Sequence, residues 1–467
     1  MDNETFRRYG HEFVDWLADY FENVEKYPVK PGLTPGDILS KIPLSPPKTG
    51  EDMDHIFKDF KEVIMPGITH WQHPGWFAYF PANNSPPSVL AEMLTAGLGA
   101  QCMIWQTSPA AAELEERMME WLRDMIGLPS GMAGVIQDTA STATLCALLT
   151  AREVKTDFRT NEEGNSGDLR VYASAETHSS IEKGVKIAGY GKENLVYIDT
   201  DENFAMIPSL LEEAIDIDIK NGKIPACVVG TLGTTSSMGM DPLEEIGSIC
   251  QKYNIWLHVD AAYAGTAALV TEFRGFMKGA EMADSFVFNP HKWMLTNFDC
   301  SAYFVKDAAA LIRTFEIHPE YLKTTTDHKV KNYRDWGIQL GRRFRALKLW
   351  FVIRSYGLEG LQQMVKNHVN LTRQFRELLE SDTRLEILAP VQLTLVCFRY
   401  NPGGMAEETL SEVNRKLLEK VNASGEVFLT HTSLKGRYAI RLSVGQRNTG
   451  IGQINKAWEL ISQYAGD

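Results

Sequence analysis

The sequence predicts an α/β layer fold on a largely parallel sheet, and two observations carry that expectation. Between Gly99 and Gly357, stretches of helical period alternate with short apolar or β-branched runs, the pattern of strands joined by crossover helices. Several of those runs, "IWLHVDAA" and "SFVFNP" among them, are apolar nearly throughout, as expected of strands covered on both faces. The chain has 467 residues, of which 44% are hydrophobic, enough for two or three cores.

In chain order, Phe6, Tyr9, Phe13, Leu17, Phe21 and Val24 recur every three or four residues and predict an amphipathic helix. A second helix carries Ile56, Phe57, Phe60, Val63 and Ile64. The proline-rich link "YPVKPGLTPGDILSKIPLSPPKTG" between them reads as a draped connection. Residues 1–80 thus form a helical segment with no sheet pattern to close a core of its own, and a partner subunit is the economical surface for it. Residues 81–357 read as the large α/β domain. Within it "SPAAAELEERMMEWLRDMIG" is a bounded helix, with Ser108 to cap it, Pro109 in the first turn and Gly127 to stop it. Strands are expected at "LRVYASA", "ACVVGTLG", "IWLHVDAA", "SFVFNP" and "SAYFVKD", and the helix "GRRFRALKLWFVIRSYG" is expected to close at Gly357. Residues 358–467 alternate helices with the strands "RLEILAP", "LTLVCFRY", "EVFLTHTS" and "YAIRLSV", a small α+β domain.

The net charge of −13, with no basic block, argues against nucleic acid or an anionic membrane as partner. Six scattered cysteines without C-x-x-C spacing read as reduced core residues. No apolar stretch approaches the ~18 residues of a spanning helix, and a cytoplasmic protein is expected. His70 and His73 lack a third ligand, so no metal is expected. A Walker-type G-x-x-x-x-G-K-S/T stretch is also missing.

Loops at strand ends are where polar groups can stand on a rigid base. Asp260 ends an apolar strand, and Lys292 follows 32 residues later at the end of another, about one parallel step away. His178 lies just past "VYASA", while Thr139, Ala140 and Ser141 open a helix whose free N–H groups can face an anion. Taken singly, these could be a structural ion pair, a loop histidine and an ordinary helix cap. Together, an amine, a carboxylate, a flat ring and an anion cradle are what pyridoxal phosphate requires.

With those residues in view, the chain resembles the aromatic L-amino acid decarboxylase family of group II pyridoxal-phosphate decarboxylases, of fold type I. The stretches that carry the resemblance are "HWQHPGWFAYFP", "TSPAAAELEERMMEWL", "GVIQDTASTATL", "TLGTTSSMG", "HVDAAYAG", "FNPHKW", "NFDCSA" and "NYRDWGIQLGRRFRALKLWFV". It implies a homodimer with its active site near the subunit interface. It makes Lys292 the lysine that binds the cofactor aldehyde and Asp260 the partner of the ring nitrogen. His178 and Ala262 would lie against the two ring faces, with Thr235 contacting His178 or the cofactor edge. Ala140, Ser141, Asn289 and His291 would hold the phosphate, with Thr139 beside them, although animal relatives read Gly-Ser-Ala-Ser-Glu-Ala where this chain has "DTASTA".

Trp71, Tyr79, Phe80 and Pro81 would form an aromatic substrate wall. The resemblance also makes Tyr333 the donor that returns a proton to the substrate carbon, from a polar lid "YLKTTTDHKVKNYRDWG"; relatives with phenylalanine there make aldehydes. Thr394 stands where plant relatives carry glycine or serine, which leans toward a phenolic substrate. The expected activity is decarboxylation of tyrosine, DOPA, tryptophan or a similar amino acid to its amine and CO2. The alternatives are an aromatic aldehyde synthase and a non-catalytic protein on the same fold.

Overall fold

The computed structural model describes residues 1–165, 167–317 and 329–466. Seven strands form the central sheet: β1 (Ala133–Gln137), β2 (Leu169–Ser174), β3 (Leu195–Ile198), β4 (Ile224–Thr231), β5 (Trp256–Asp260), β6 (Ser285–Phe288) and β7 (Ser301–Val305). Their order is β1-β7-β6-β5-β4-β2-β3, with β3 through β6 parallel and β7 antiparallel to both its neighbours. The sequence reading missed β1 and β3. β3 has the burial of a half-covered edge strand, and β1, at the other edge of the sheet, has only Val135 and Ile136 as large apolar residues, so neither shows the continuous apolar run that marks the interior strands.

Every residue of β5, β6 and β7 is buried, and burial of each large apolar side chain there is worth roughly 1.5–3 kcal/mol. In parallel register Asp260 lies beside Thr231 of β4 and Val287 of β6. The strand ends carrying Asp260 and Lys292 therefore meet at one edge of the sheet. Short 3-10 turns, Ala264–Leu269, Thr271–Met277 and Ala280–Met282, make the β5–β6 crossover in place of a full helix.

The helices that matter for the site are α1 (Asn3–Asn23), α2 (Met53–Asp59), α3 (Pro86–Leu98), α4 (Pro109–Ile126) and α5 (Ala140–Lys155). α4 begins with Pro109 and stops at Gly127 in the left-handed region. Ser108 takes the N-cap position without a side-chain hydrogen bond. Of α1 only Tyr9 is buried, so the wide apolar stripe read in the sequence finds little to cover it within this chain.

The second sheet, in the order β10-β11-β9-β8, is antiparallel and comprises β8 (Leu385–Ile387), β9 (Leu395–Tyr400), β10 (Thr430–Leu434) and β11 (Arg437–Ser443). The helix expected to close at Gly357 does so: Arg345–Glu380 is two helices that meet at a kink, where Gly357 is non-helical at φ 65° and ψ 169°. Glycine adopts that conformation without the Cβ penalty, so the first helix ends there and the second continues to Glu380. Among the described residues, no helix is long and apolar enough to cross a membrane.

Candidate active site

A cavity of about 230 Å³ opens at the sheet edge where β4, β5 and β6 end. Eleven residues singled out in the sequence line it: Phe80, Thr139, Ala140, Ser141, His178, Thr235, Asp260, Ala262, Asn289, His291 and Lys292.

Lys292 sits in the short helix Pro290–Trp293, directly after β6. Its Nζ lies 5.6 Å from the Phe80 ring centre, and no hydrogen-bond acceptor meets it among the described residues. Burial lowers the affinity of this amine for a proton, opposed by the Asp260 charge. A neutral amine is the nucleophilic form. Asp260 accepts the Ala262 N–H through Oδ1 at 3.0 Å, and no donor meets Oδ2 among the described residues, so that oxygen is free for a cation or donor in the cavity.

The two histidines have defined tautomers. The Ser180 N–H donates to His178 Nδ1 at 3.2 Å, and the Ser180 hydroxyl lies 2.8 Å away. With Nδ1 an acceptor, the neutral ring carries its hydrogen on Nε2. Burial holds the His178 pKa below the ordinary value, helped by Lys292 and opposed by Asp260. The Cys300 N–H donates to His291 Nδ1 at 3.0 Å, which likewise leaves an Nε2–H. Burial drives the His291 pKa down to about 3, so this ring is a neutral donor at physiological pH.

Anion-holding groups converge on the same cavity. Thr139 is the N-cap of α5, and its own N–H is taken by the Asp138 carboxylate at 2.6 Å. Ala140 and Ser141 head the helix, where backbone N–H groups have no carbonyl four residues back to bond, and the helix dipole adds partial positive charge. Asn289 Oδ1 accepts the Ser301 hydroxyl at 2.6 Å, which turns its Nδ2 donor to the other side. The Thr235 carbonyl is held from the second sheet by Arg441 Nη2 at 2.6 Å.

The aromatic wall is narrower than expected. Phe80 stacks on Tyr263 at 4.0 Å and 6°. Trp71, Tyr79 and Pro81 do not line the cavity. Tyr79 has φ 53° and is 51% exposed, so alternate members of "AYFP" point to opposite sides. Its ring stacks on Trp71 at 5.9 Å, and Trp71 packs on Trp76 at 4.2 Å. Pro81 is wedged against Gly445, where a Cβ would come within 2.6 Å of its Cγ. Thr394 also lies outside; its hydroxyl is 2.6 Å from the Tyr263 hydroxyl, behind the wall.

Tyr333 does not line this chain's own cavity; it is buried in the apolar cluster beneath α5 and β7, with its ring 5.5 Å from Trp336 and 4.9 Å from the Arg342 guanidinium carbon. Its hydroxyl has no hydrogen-bond partner among the described residues and does not line the cavity. Arg342 is in turn locked in a buried ion pair with Glu115, at 2.6 and 3.1 Å. Aromatic packing over a fixed cation holds the ring here. Of the expected lid, residues 321–328 lie outside the described residues.

The cavity also has walls that the sequence reading missed: Thr231, Gly233, Ser180, Tyr263 and Phe298. Tyr263 was within reach, because it lies one residue past Ala262 in "HVDAAYAG". Gly233 carries φ +84°, and a Cβ there would meet Ala264 and Met238 at 2.9 and 3.0 Å, which keeps the β4 loop pressed to the cavity floor. His70 and His73 serve local structure: His70 Nδ1 lies 2.9 Å from the Tyr20 hydroxyl, and His73 Nδ1 accepts the Gly75 N–H.

Comparison with known proteins bears on this geometry. Residues 35–401 match the pyridoxal-dependent decarboxylase conserved domain. The chain is 43% identical over 479 residues to tyrosine decarboxylase 4 of Petroselinum crispum, covering 100% of this chain and 94% of that one. It is 42% identical over 475 residues to phenylacetaldehyde synthase of Arabidopsis thaliana, covering 100% and 96%. The crystal structure of Oryza sativa TDC with PLP and tryptamine superposes with a TM-score of 0.97 at 35% identity, covering 100% of this chain and 98% of that one.

Proposed function

The chain belongs to the pyridoxal-dependent decarboxylase family, and from that premise we propose that it converts aromatic L-amino acids to their arylalkylamines and CO2, as a carboxy-lyase using pyridoxal phosphate. The observation that carries the reading is the convergence of Lys292, Asp260, His178 and the α5 N-terminus on one cavity. The residues present fit the cofactor: an amine without an acceptor, a carboxylate oxygen without a donor, and N–H groups at a helix start left over by the fold.

When bound, pyridoxal phosphate supplies an aldehyde that condenses with amines and a protonated ring that accepts an electron pair. Lys292 would hold that aldehyde and yield it to the substrate amine. Asp260 would keep the ring nitrogen protonated through its free oxygen. Ala140, Ser141, Asn289 and His291 would hold the phosphate with neutral donors and the helix dipole. Ala262 and His178 would confine the ring from its two faces, and the stacked Phe80–Tyr263 pair offers a flat apolar surface to an aromatic side chain. Among the residues lining this chain's cavity, His178 Nε2–H is the group we assign to return a proton to the substrate carbon after CO2 departs.

A homodimer is part of the reading. Phe6 and Leu98 are 65% and 67% exposed, and an apolar groove of about 880 Å³ between α1 and α3 is lined by Phe13, Leu17, Leu90 and Met93. A surface of that size on a folded chain calls for a partner, and a second copy supplies its complement by symmetry.

The test is incubation of the cofactor-loaded protein with tyrosine, DOPA, phenylalanine, tryptophan and 5-hydroxytryptophan, following CO2, amine, ammonia and peroxide. One amine per CO2 is expected. A second reading, aldehyde synthase, is kept open by the near-equal identity to phenylacetaldehyde synthase. Peroxide and ammonia in place of amine would establish that reading.

A further inference from the structure

One buried polar side chain next to the cavity has no part in the chemistry above. His258 lies on β5 two residues before Asp260, so the two side chains share a face of the sheet. Its ring is fully buried. Nε2 is 3.1 Å from the hydroxyl of Thr144 on α5, and Nδ1 is 2.9 Å from the hydroxyl of Ser285, its direct neighbour on β6. Ser285 is itself fixed by the Trp256 indole N–H at 2.8 Å. Thr144 stands one helical turn below Ala140, at the α5 end that faces the phosphate donors.

We propose that His258 is a positioning residue: a strut that sets the distance between the α5 N-terminus and the Asp260 carboxylate, and so the span between the phosphate and the ring nitrogen of the bound cofactor. The inference rests on the reading of the cavity as a pyridoxal phosphate site. Three elements that carry cofactor-holding groups meet at this one ring: α5, β5 and β6. A neutral imidazole has one donor and one acceptor, and each hydroxyl can answer either, so both links are satisfied at once. An apolar residue of similar volume would fill the space more cheaply but would set neither direction nor distance. Burial brings the His258 pKa down to about 4, with Asp260 opposing, so the strut is uncharged at working pH.

The experiment compares pyridoxal phosphate with pyridoxal, which shares the aldehyde and ring but cannot span to α5. Both are titrated into the cofactor-free protein, following visible absorbance. Wild type should prefer the phosphate form, and Lys292→Ala should lose the band with both; absence of any lysine-dependent band in wild type would refute the cavity reading itself. Given that band, Thr144→Val and His258→Leu should cut the preference for the phosphate form at least tenfold, while pyridoxal affinity changes less than twofold. His258→Gln, whose amide can reach Thr144, should restore most of the preference.

Unchanged preference in Thr144→Val would overturn the proposal. So would equal loss of both affinities in Thr144→Val and His258→Leu, the signature of general destabilisation. If His258→Leu fails to fold, Thr144→Val, which keeps side-chain shape, decides alone.

Discussion

Tyr333→Phe separates what the buried structure says from what family resemblance implied. The Tyr333 hydroxyl is buried without a hydrogen-bond partner among the described residues, and burial pushes its pKa well above the ordinary value. An unpaired buried hydroxyl costs on the order of 1–3 kcal/mol, and removing it leaves the contacts with Trp336 and Arg342 at 5.5 and 4.9 Å intact. The lost oxygen leaves a gap that offsets part of the gain. The net change should therefore be neutral to about 1 kcal/mol stabilising, a rise in Tm of no more than about 2 °C.

Because the ring does not line the cavity, the ratio of amine to peroxide should stay within twofold of wild type. The assay is product analysis by chromatography alongside coupled peroxide detection, with thermal unfolding on the same preparations. A switch to peroxide, ammonia and aldehyde as dominant products would refute the argument. It would mean that Tyr333 reaches the reacting carbon after all.

Three further outcomes follow from the same geometry. Lys292→Ala should abolish the visible absorbance of lysine-bound cofactor and lower turnover by at least 10³-fold, on the scale of losing a covalent nucleophile; measurable turnover near wild type would remove Lys292 from the chemistry. Acid should destabilise the fold, because His73, His258 and His368 have pKa values brought down to about 4, and His291 to about 3, by burial. The unfolded chain takes up protons near the ordinary value of 6.5 while the folded chain resists them, so stability present above pH 6.5 is lost as pH falls toward 4, at about 1 kcal/mol per pH unit for each group. A urea midpoint that stays constant from pH 7 to 5 would contradict this. Leu98→Asp together with Met93→Asp should give monomers by light scattering; an unaltered dimer would place the interface elsewhere.

Much of the site could be read without coordinates because it is local in sequence. An apolar run ending in Asp260 and another ending in Lys292 can only be neighbouring buried strands if both groups emerge at the same sheet edge, and parallel pairing of β5 with β6 puts them there. The phosphate donors are equally local, since a helix that begins at Ala140 exposes its first N–H groups whatever it packs against. Side-chain period and backbone donors are properties of the chain itself.

What tertiary structure decided is which side of a loop each residue faces and what it meets there. Phe80 and Tyr79 are adjacent and chemically alike, yet one lines the cavity and the other is exposed, because a positive φ at Tyr79 turns the chain between them. The packing of the Tyr333 ring over Arg342, itself held by Glu115 more than 200 residues earlier, is equally a matter of tertiary contact. Thr394 reaches the site only through the Tyr263 hydroxyl. The strut at His258 is invisible in the letters for the same reason. Its partners lie 114 residues before it and 27 after it, and only the packing of a helix against two strands makes them neighbours.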